Sequence, residues 1–240
     1  MKEIKNKSKI PNPKSQILNS KPSSAFSFTE MVKILKGTFL EELPAVTKIS
    51  KTENRNPFLV LVGTLLSLRT KDEITEKVME KLTKEARTPE DILKMNAKRL
   101  QTLIYPVGFY RNKTNTLKNI SRIIIEDYNG KVPDSIDELL KIKGIGRKTA
   151  NLVITEAYGK PGICVDTHVH RISNRLGIIK TKNPHETEDV LRNILPKKFW
   201  IIYNTLLVTF GKKICNPISP RCSKCTITHL CLKIGVTNHR

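Results

Sequence analysis

Two sets of residues in this chain have the types and spacing to do chemistry. The first is Lys148, directly after Gly144-Ile145-Gly146-Arg147, with Asp166 further on in Val165-Asp166-Thr167-His168. A lysine amine is a nucleophile only when neutral, and the sequence sets this one at a helix N-terminus beside Arg147. A carboxylate beside it can take a proton or stabilise positive charge developing on a substrate. Each has a plainer role as well: Lys148 as a phosphate clamp, Asp166 as the N-cap of a helix starting at Thr167. The second set is Cys215, Cys222, Cys225 and Cys231, with six, two and five residues between successive thiols. Four thiolates so close can surround one metal centre. A disulfide pair requires an oxidising compartment, and zinc sites usually show two Cys-x2-Cys knuckles where this chain has one, Cys222 and Cys225. Spacing alone leaves all three open.

The elements that must position these residues read as helices. Ser135 with Glu138 has the form of a capping box, Leu139, Leu140 and Ile142 supply an apolar face, and Gly144 and Gly146 end the helix. A second helix, Thr149 to Tyr158, closes at Gly159. Two glycines spaced by one residue permit positive φ and close backbone approach, so amides at the second helix's start can face a phosphate oxygen. Upstream, residues 57–69 are apolar enough for a fully buried helix begun by Pro57; Asp72 to Leu82, a helix opened by Thr88-Pro89-Glu90-Asp91, Ala97 to Ile104 and Lys113 to Tyr128 follow. Downstream come His168 to Leu176, Pro184 to Leu195 and Phe199 to Thr209. The expected fold class is all-α with short connections.

Charge names the partner. The chain holds 43 Lys plus Arg against 22 Asp plus Glu, a formal +21 over 240 residues, more than solubility asks for. A polyanion fits that surplus, and nucleic acid fits it better than a membrane, because no long uncharged apolar run appears and the basic residues are spread along the chain. Few cysteines, four of them clustered, point to a reducing interior. Residues 1–23, rich in Lys, Asn, Ser and Pro without periodicity, read as a flexible basic arm.

The run from Leu139 to Ala150, the downstream Asp166 and the cysteine spacing together resemble the endonuclease III family of the helix-hairpin-helix DNA glycosylase superfamily. The resemblance covers almost all of the chain after the arm. It implies two helical domains flanking a DNA-binding cleft: a six-helix barrel over residues 50–160, with the helix-hairpin-helix at about 135–158, and an iron–sulfur domain built from 24–49 and 161–240. It implies that Lys148 is the nucleophile and Asp166 the catalytic aspartate, and that Cys215, Cys222, Cys225 and Cys231 hold a [4Fe-4S] cluster. Lys143, Gly144, Gly146, Arg147, Thr149 and His168 would face DNA. Arg69 lies where the family often has a glutamine filling the gap left by a flipped nucleotide, and Phe109 where an apolar wedge enters the opposite strand, a core aromatic being the alternative. Arginine has five donors and no acceptor, so its contact to the orphaned base must differ. Lys143 stands where the family's hairpin usually has proline, adding a phosphate-facing charge, and residues 216–220 are less basic than in close relatives.

The function so implied is a bifunctional DNA glycosylase and abasic-site lyase of base excision repair, acting as a monomer in the cytoplasm on duplex DNA with oxidised pyrimidines or abasic sites. Two rivals are a mismatch, uracil or adenine glycosylase of the same superfamily, which would be expected to lack a lysine at 148, and a non-enzymatic DNA-binding iron–sulfur protein, which would need neither Lys148 nor Asp166.

Overall fold

The computed structural model describes residues 26–39 and 41–240; the basic arm expected over 1–23 lies outside them. Among the described residues all regular structure is helical, as the hydrophobic periodicity predicts. The helices are α1 (Phe28–Phe39), α2 (Ala45–Thr52), α3 (Pro57–Ser67), α4 (Asp72–Leu82), α5 (Pro89–Lys94), α6 (Ala97–Ile104), α7 (Tyr110–Tyr128), α8 (Ile136–Lys141), α9 (Arg147–Glu156), α10 (Thr167–Leu176), α11 (Pro184–Ile194) and α12 (Trp200–Lys213).

Two hydrophobic cores organise them. The first is built on α3, whose residues from Phe58 to Leu66 are all buried. Pro57 opens this helix and the Asn56 side chain accepts from the Phe58 and Leu59 amides, which satisfies two donors that have no partner within the helix. Thr64, deep in the same helix, donates its hydroxyl to the Val60 carbonyl at 2.8 Å, so that hydroxyl is not left bare. Gly63 lets α2 approach: a Cβ there would lie 3.0 Å from the Ile49 side chain. Around α3 pack α2 and α4 to α9. The second core joins Met31, Val32, Leu35 and Phe39 of α1 to α10, α11 and the mostly buried α12. There the Trp200 indole donates to the Leu195 carbonyl at 2.8 Å, and the hydroxyls of Ser173 and Tyr203 pair at 2.9 Å.

Two local features differ from expectation. Val46 and Ile49 of α2 pack onto α3 in the first core, whereas the sequence reading assigns residues 24–49 as a whole to the iron–sulfur domain. The capping box at Ser135 is half made: its hydroxyl accepts from the Glu138 amide at 3.2 Å, but the Glu138 carboxylate turns to Lys141 and to the Tyr128 hydroxyl.

The cores are tied across their junction. Glu188 of α11, buried, accepts from Asn151 of α9 at 3.3 Å and from Arg192 at 2.7 Å, with Arg147 at 3.5 Å. Asn204 of α12 donates to the Cys164 carbonyl at 3.0 Å, and Lys212 pairs with Asp72 of α4 at 2.5 Å. A buried carboxylate with several donors is costly to strip of any one of them, so this junction holds a fixed geometry.

Candidate active site

A cleft opens at that junction, lined from the first core by Ala45, Thr47, Ser67, Asp72, Lys148 and Leu152, and from the second by Asp166, His168, Asn204, Val208 and Lys212. Lys148 reaches it from the first turn of α9, and Asp166 from the start of α10, with Nζ to Oδ2 at 3.9 Å. The lysine side chain is 42% exposed and the carboxylate 10%, so the amine is presented outward while the carboxylate backs it. Asp166 does two things with its two oxygens. Oδ1 accepts from the His168 and Val169 amides, both at 2.9 Å, capping α10, and Oδ2 is left facing Lys148.

The hairpin before α9 explains how the lysine is placed. Gly144 holds φ at +107°, and a Cβ there would crowd Thr116 and Ile120 of α7, so the turn needs glycine for its own sake. Gly146 is different: φ is an ordinary −94° and a Cβ would meet nothing within 4 Å. No contact within the protein requires glycine there, whereas a partner coming close to the backbone would. Gly146 also caps α9 without any side-chain acceptor, leaving the helix's first amides free. Lys143 is exposed beside it.

Other expected DNA-facing residues divide. Arg147 is exposed but its guanidinium turns toward Glu188, so its charge is not aimed at Lys148 as the sequence suggested. Thr149 is a correction: it is 3% exposed, and its side chain is core. His168 forms part of the cleft wall against Gly211, its Nδ1 3.2 Å from an Arg171 nitrogen. Burial lowers its pKa, Arg171, Lys212 and Lys148 lower it further, and Asp166 opposes them. His170 is structural, its Nδ1 2.7 Å from the Thr187 hydroxyl. Cys164 is fully buried, its thiol pushed up to about 12 by burial, which fits a small apolar residue rather than a nucleophile.

Arg69 lies on the turn after Ser67, which lines the cleft, and Phe109 on a second turn packed against the first, where the Gly108 amide donates to the Thr70 hydroxyl. Phe109 is 56% exposed, which removes the core-aromatic alternative, and the Arg69 guanidinium carbon sits 4.8 Å from its ring centroid. Both have positive φ, +55° and +60°. Sequence reasoning missed the groups behind them, Lys113 and Thr70, and also Lys212, Asn204 and Glu188 at the junction. No local motif marks any of these.

Cys215, Cys222, Cys225 and Cys231 line one cavity with Arg175, Phe210, Ile214 and Ile227. All are free thiols, which sets the disulfide alternative aside. Among the described residues no three Cys, His, Asp or Glu side chains converge tightly enough for a single metal ion. The donors around the sulfurs suit thiolates bound to a larger centre: an Arg175 nitrogen lies 3.4 Å from the Cys215 sulfur, and the Lys233 amide 3.3 Å from that of Cys231. Burial pushes the Cys225 thiol up to about 11 and raises Cys231 too, so thiolates here require a positive counterpart.

Comparison with known proteins places this architecture. A model described as HhH-GPD superfamily base excision DNA repair protein matches residues 62–197. Endonuclease III of Thermotoga maritima is 49% identical over 176 residues, 73% of this chain and 83% of that protein. Endonuclease III of Bacillus subtilis is 42% identical over 177 residues, 73% of this chain and 81% of its own. A solved non-covalent Endonuclease III–DNA complex superposes with a TM-score of 0.76 at 35% identity, covering 85% of this chain and 94% of that one. A trapped Endonuclease III–DNA covalent intermediate gives 0.70 at 39% identity, covering 74% and 84%. The chain belongs to the endonuclease III family of the HhH-GPD superfamily.

Proposed function

We propose that this protein is a DNA glycosylase and abasic-site lyase of base excision repair that takes oxidised pyrimidines out of duplex DNA. The observation that carries the proposal is the pairing of an outward-facing Lys148 amine with the Asp166 carboxylate at 3.9 Å, in a cleft beside an uncapped, glycine-led helix start. The sugar carbon of a stacked nucleotide is out of reach, so the nucleotide must be flipped into the cleft. The Lys148 nitrogen then bonds to C1′ as the bond from C1′ to the base breaks, and the base leaves with the electron pair and gains a proton. Ring opening gives an iminium. That electron sink acidifies a C2′ proton, whose loss expels the 3′ phosphate, and water releases the lysine. Asp166 can accept the amine's proton or stabilise the developing sugar cation. Single-turnover incision of a panel of duplexes, each with one lesion, tests the reading; it fails if no damaged pyrimidine is released and abasic sites stay intact.

The four cysteines are the residues that would hold a [4Fe-4S] cluster, which would tie the chain from Cys215 to Cys231 into a fixed loop and needs no part in the bond changes above. Purified protein is expected to be yellow-brown with about four irons per chain. Cys222→Ser should lose colour and solubility together. One zinc and no iron after anaerobic preparation would overturn the assignment.

The open space at Gly146 supports a further expectation. Lys143→Ala should weaken binding to damaged and undamaged DNA alike and lower the salt dependence by about one unit of slope. Gly146→Val should fold, since nothing in the protein opposes its side chain, yet fail to incise even at low salt because the backbone is held off its phosphate. Normal incision by Gly146→Val across a salt titration would reduce the hairpin to a simple turn.

A further inference from the structure

The stacked pair Arg69 and Phe109 is held in a conformation that neither residue favours. A non-glycine residue in the left-handed region costs on the order of 1 kcal/mol and persists only where its surroundings impose it. Those surroundings converge on one side chain. Lys113, in the first turn of α7, sends its ammonium into the angle between the two turns, donating to the Leu66 carbonyl at 2.8 Å, the Leu68 carbonyl at 2.6 Å and the Thr70 hydroxyl at 3.2 Å. The same Thr70 oxygen accepts from the Gly108 amide at 3.2 Å. Gly108 lies so close to the Arg69 carbonyl that a Cβ would come within 2.6 Å of it.

The two carbonyls belong to the C-terminal end of α3, where they lack partners along the helix and where the helix dipole favours a cation. Burial draws the Lys113 pKa down to about 8, so the group remains mostly cationic at neutral pH while enclosed among its acceptors. A lysine so engaged has no freedom to meet a phosphate. Its contacts all go to the backbone and hydroxyl of the 66–70 turn, and through Thr70 to the 107–109 turn.

We propose that Lys113 is a positioning residue that joins these two turns through Thr70 and holds the Arg69–Phe109 pair rigid, as a plug for the space vacated by a displaced base. The role rests on the base-excising function proposed above. Opening a base pair costs a few kcal/mol of unstacking, and a plug already ordered before binding spends none of its contact energy on fixing its own loops. A loosened plug should therefore slow lesion extrusion and leave the chemistry at Lys148 intact.

Two duplexes separate these effects. One carries thymine glycol, or whichever lesion of the panel is incised fastest, paired with a normal base; the other carries the same lesion opposite a tetrahydrofuran abasic analogue, where little is left to unstack or fill. Lys113→Met, which keeps length and packing, should lower the single-turnover rate on the paired duplex by about 10- to 100-fold, the order expected for a misplaced contact. On the second duplex the loss should stay within about 3-fold. Thr70→Val, close in shape but without the bridging hydroxyl, should show the same pattern more weakly, and it carries the test if Lys113→Met does not fold. Equal losses on both duplexes mean that Lys113 is only structural, and no loss on the paired duplex means that it does not hold the plug; either overturns the proposal while the enzymatic reading stands. Wild-type protein that incises neither duplex refutes the enzymatic reading, and the role of Lys113 with it.

Discussion

Lys148→Gln is expected to abolish strand cleavage at abasic sites, with a fall of roughly 10⁴-fold or more, the scale seen when a covalent nucleophile is removed. Only a primary amine can form the iminium through which the 3′ phosphate is lost, and glutamine keeps the side chain's bulk without one. The fold should hardly notice. The Lys148 side chain is 42% exposed and its one charged partner stands at 3.9 Å, a pair that contributes about 1 kcal/mol at most. DNA affinity should fall by little, since one charge among 43 basic residues is lost. Borohydride should trap wild-type protein on lesion DNA as a covalent adduct. Equal trapping by Lys148→Gln would transfer the nucleophile's role to another amine, and the cleft offers Lys212, which Asp72 already holds at 2.5 Å.

Where short signals decide structure, the sequence was a sufficient guide. Helices α4 and α6 begin and end where apolar spacing and punctuation place them, and α6 alone of the two starts behind a capping side chain, that of Asn96, which accepts from the Arg99 amide at 2.8 Å. Lys148 and Asp166 could be singled out because each flanks a local motif, and the cysteines because their spacing is itself a pattern. What stayed hidden depends on distant contacts. Helix α7 begins at Tyr110 rather than Lys113 because its first turn follows Phe109, whose left-handed backbone is imposed from the facing turn. Lys113 itself looks like one more solvated lysine on a polar helix face, and only the return of the chain after α3 gives it acceptors. Thr149 reads as part of a phosphate-facing turn, yet helical rotation carries it into the core one residue after Lys148. Residues 45–49 are too short an amphipathic stretch to declare which of two cores they serve.

Asp166 is where two roles share one side chain, and the two can be separated. Asparagine has nearly the same shape and is as good an N-cap as aspartate, so in Asp166→Asn the oxygen that accepts from the His168 and Val169 amides can be kept. What disappears is the negative charge facing Lys148. If that charge takes the lysine's proton or stabilises the sugar cation, the glycosylase rate should fall by about 10²-fold or more, within the range for a positioned acid–base group, while the melting temperature changes little. Asp166→Ala removes cap and charge together, and should add a loss of about 1 kcal/mol in stability to the same loss of rate. The comparison of the two variants is therefore the informative one. Should Asp166→Asn keep full activity per folded molecule while Asp166→Ala alone is impaired, through loss of folded protein, the carboxylate would be a cap for α10 and nothing more, and the proton released by Lys148 would have to pass to solvent through the 42% of that side chain left open.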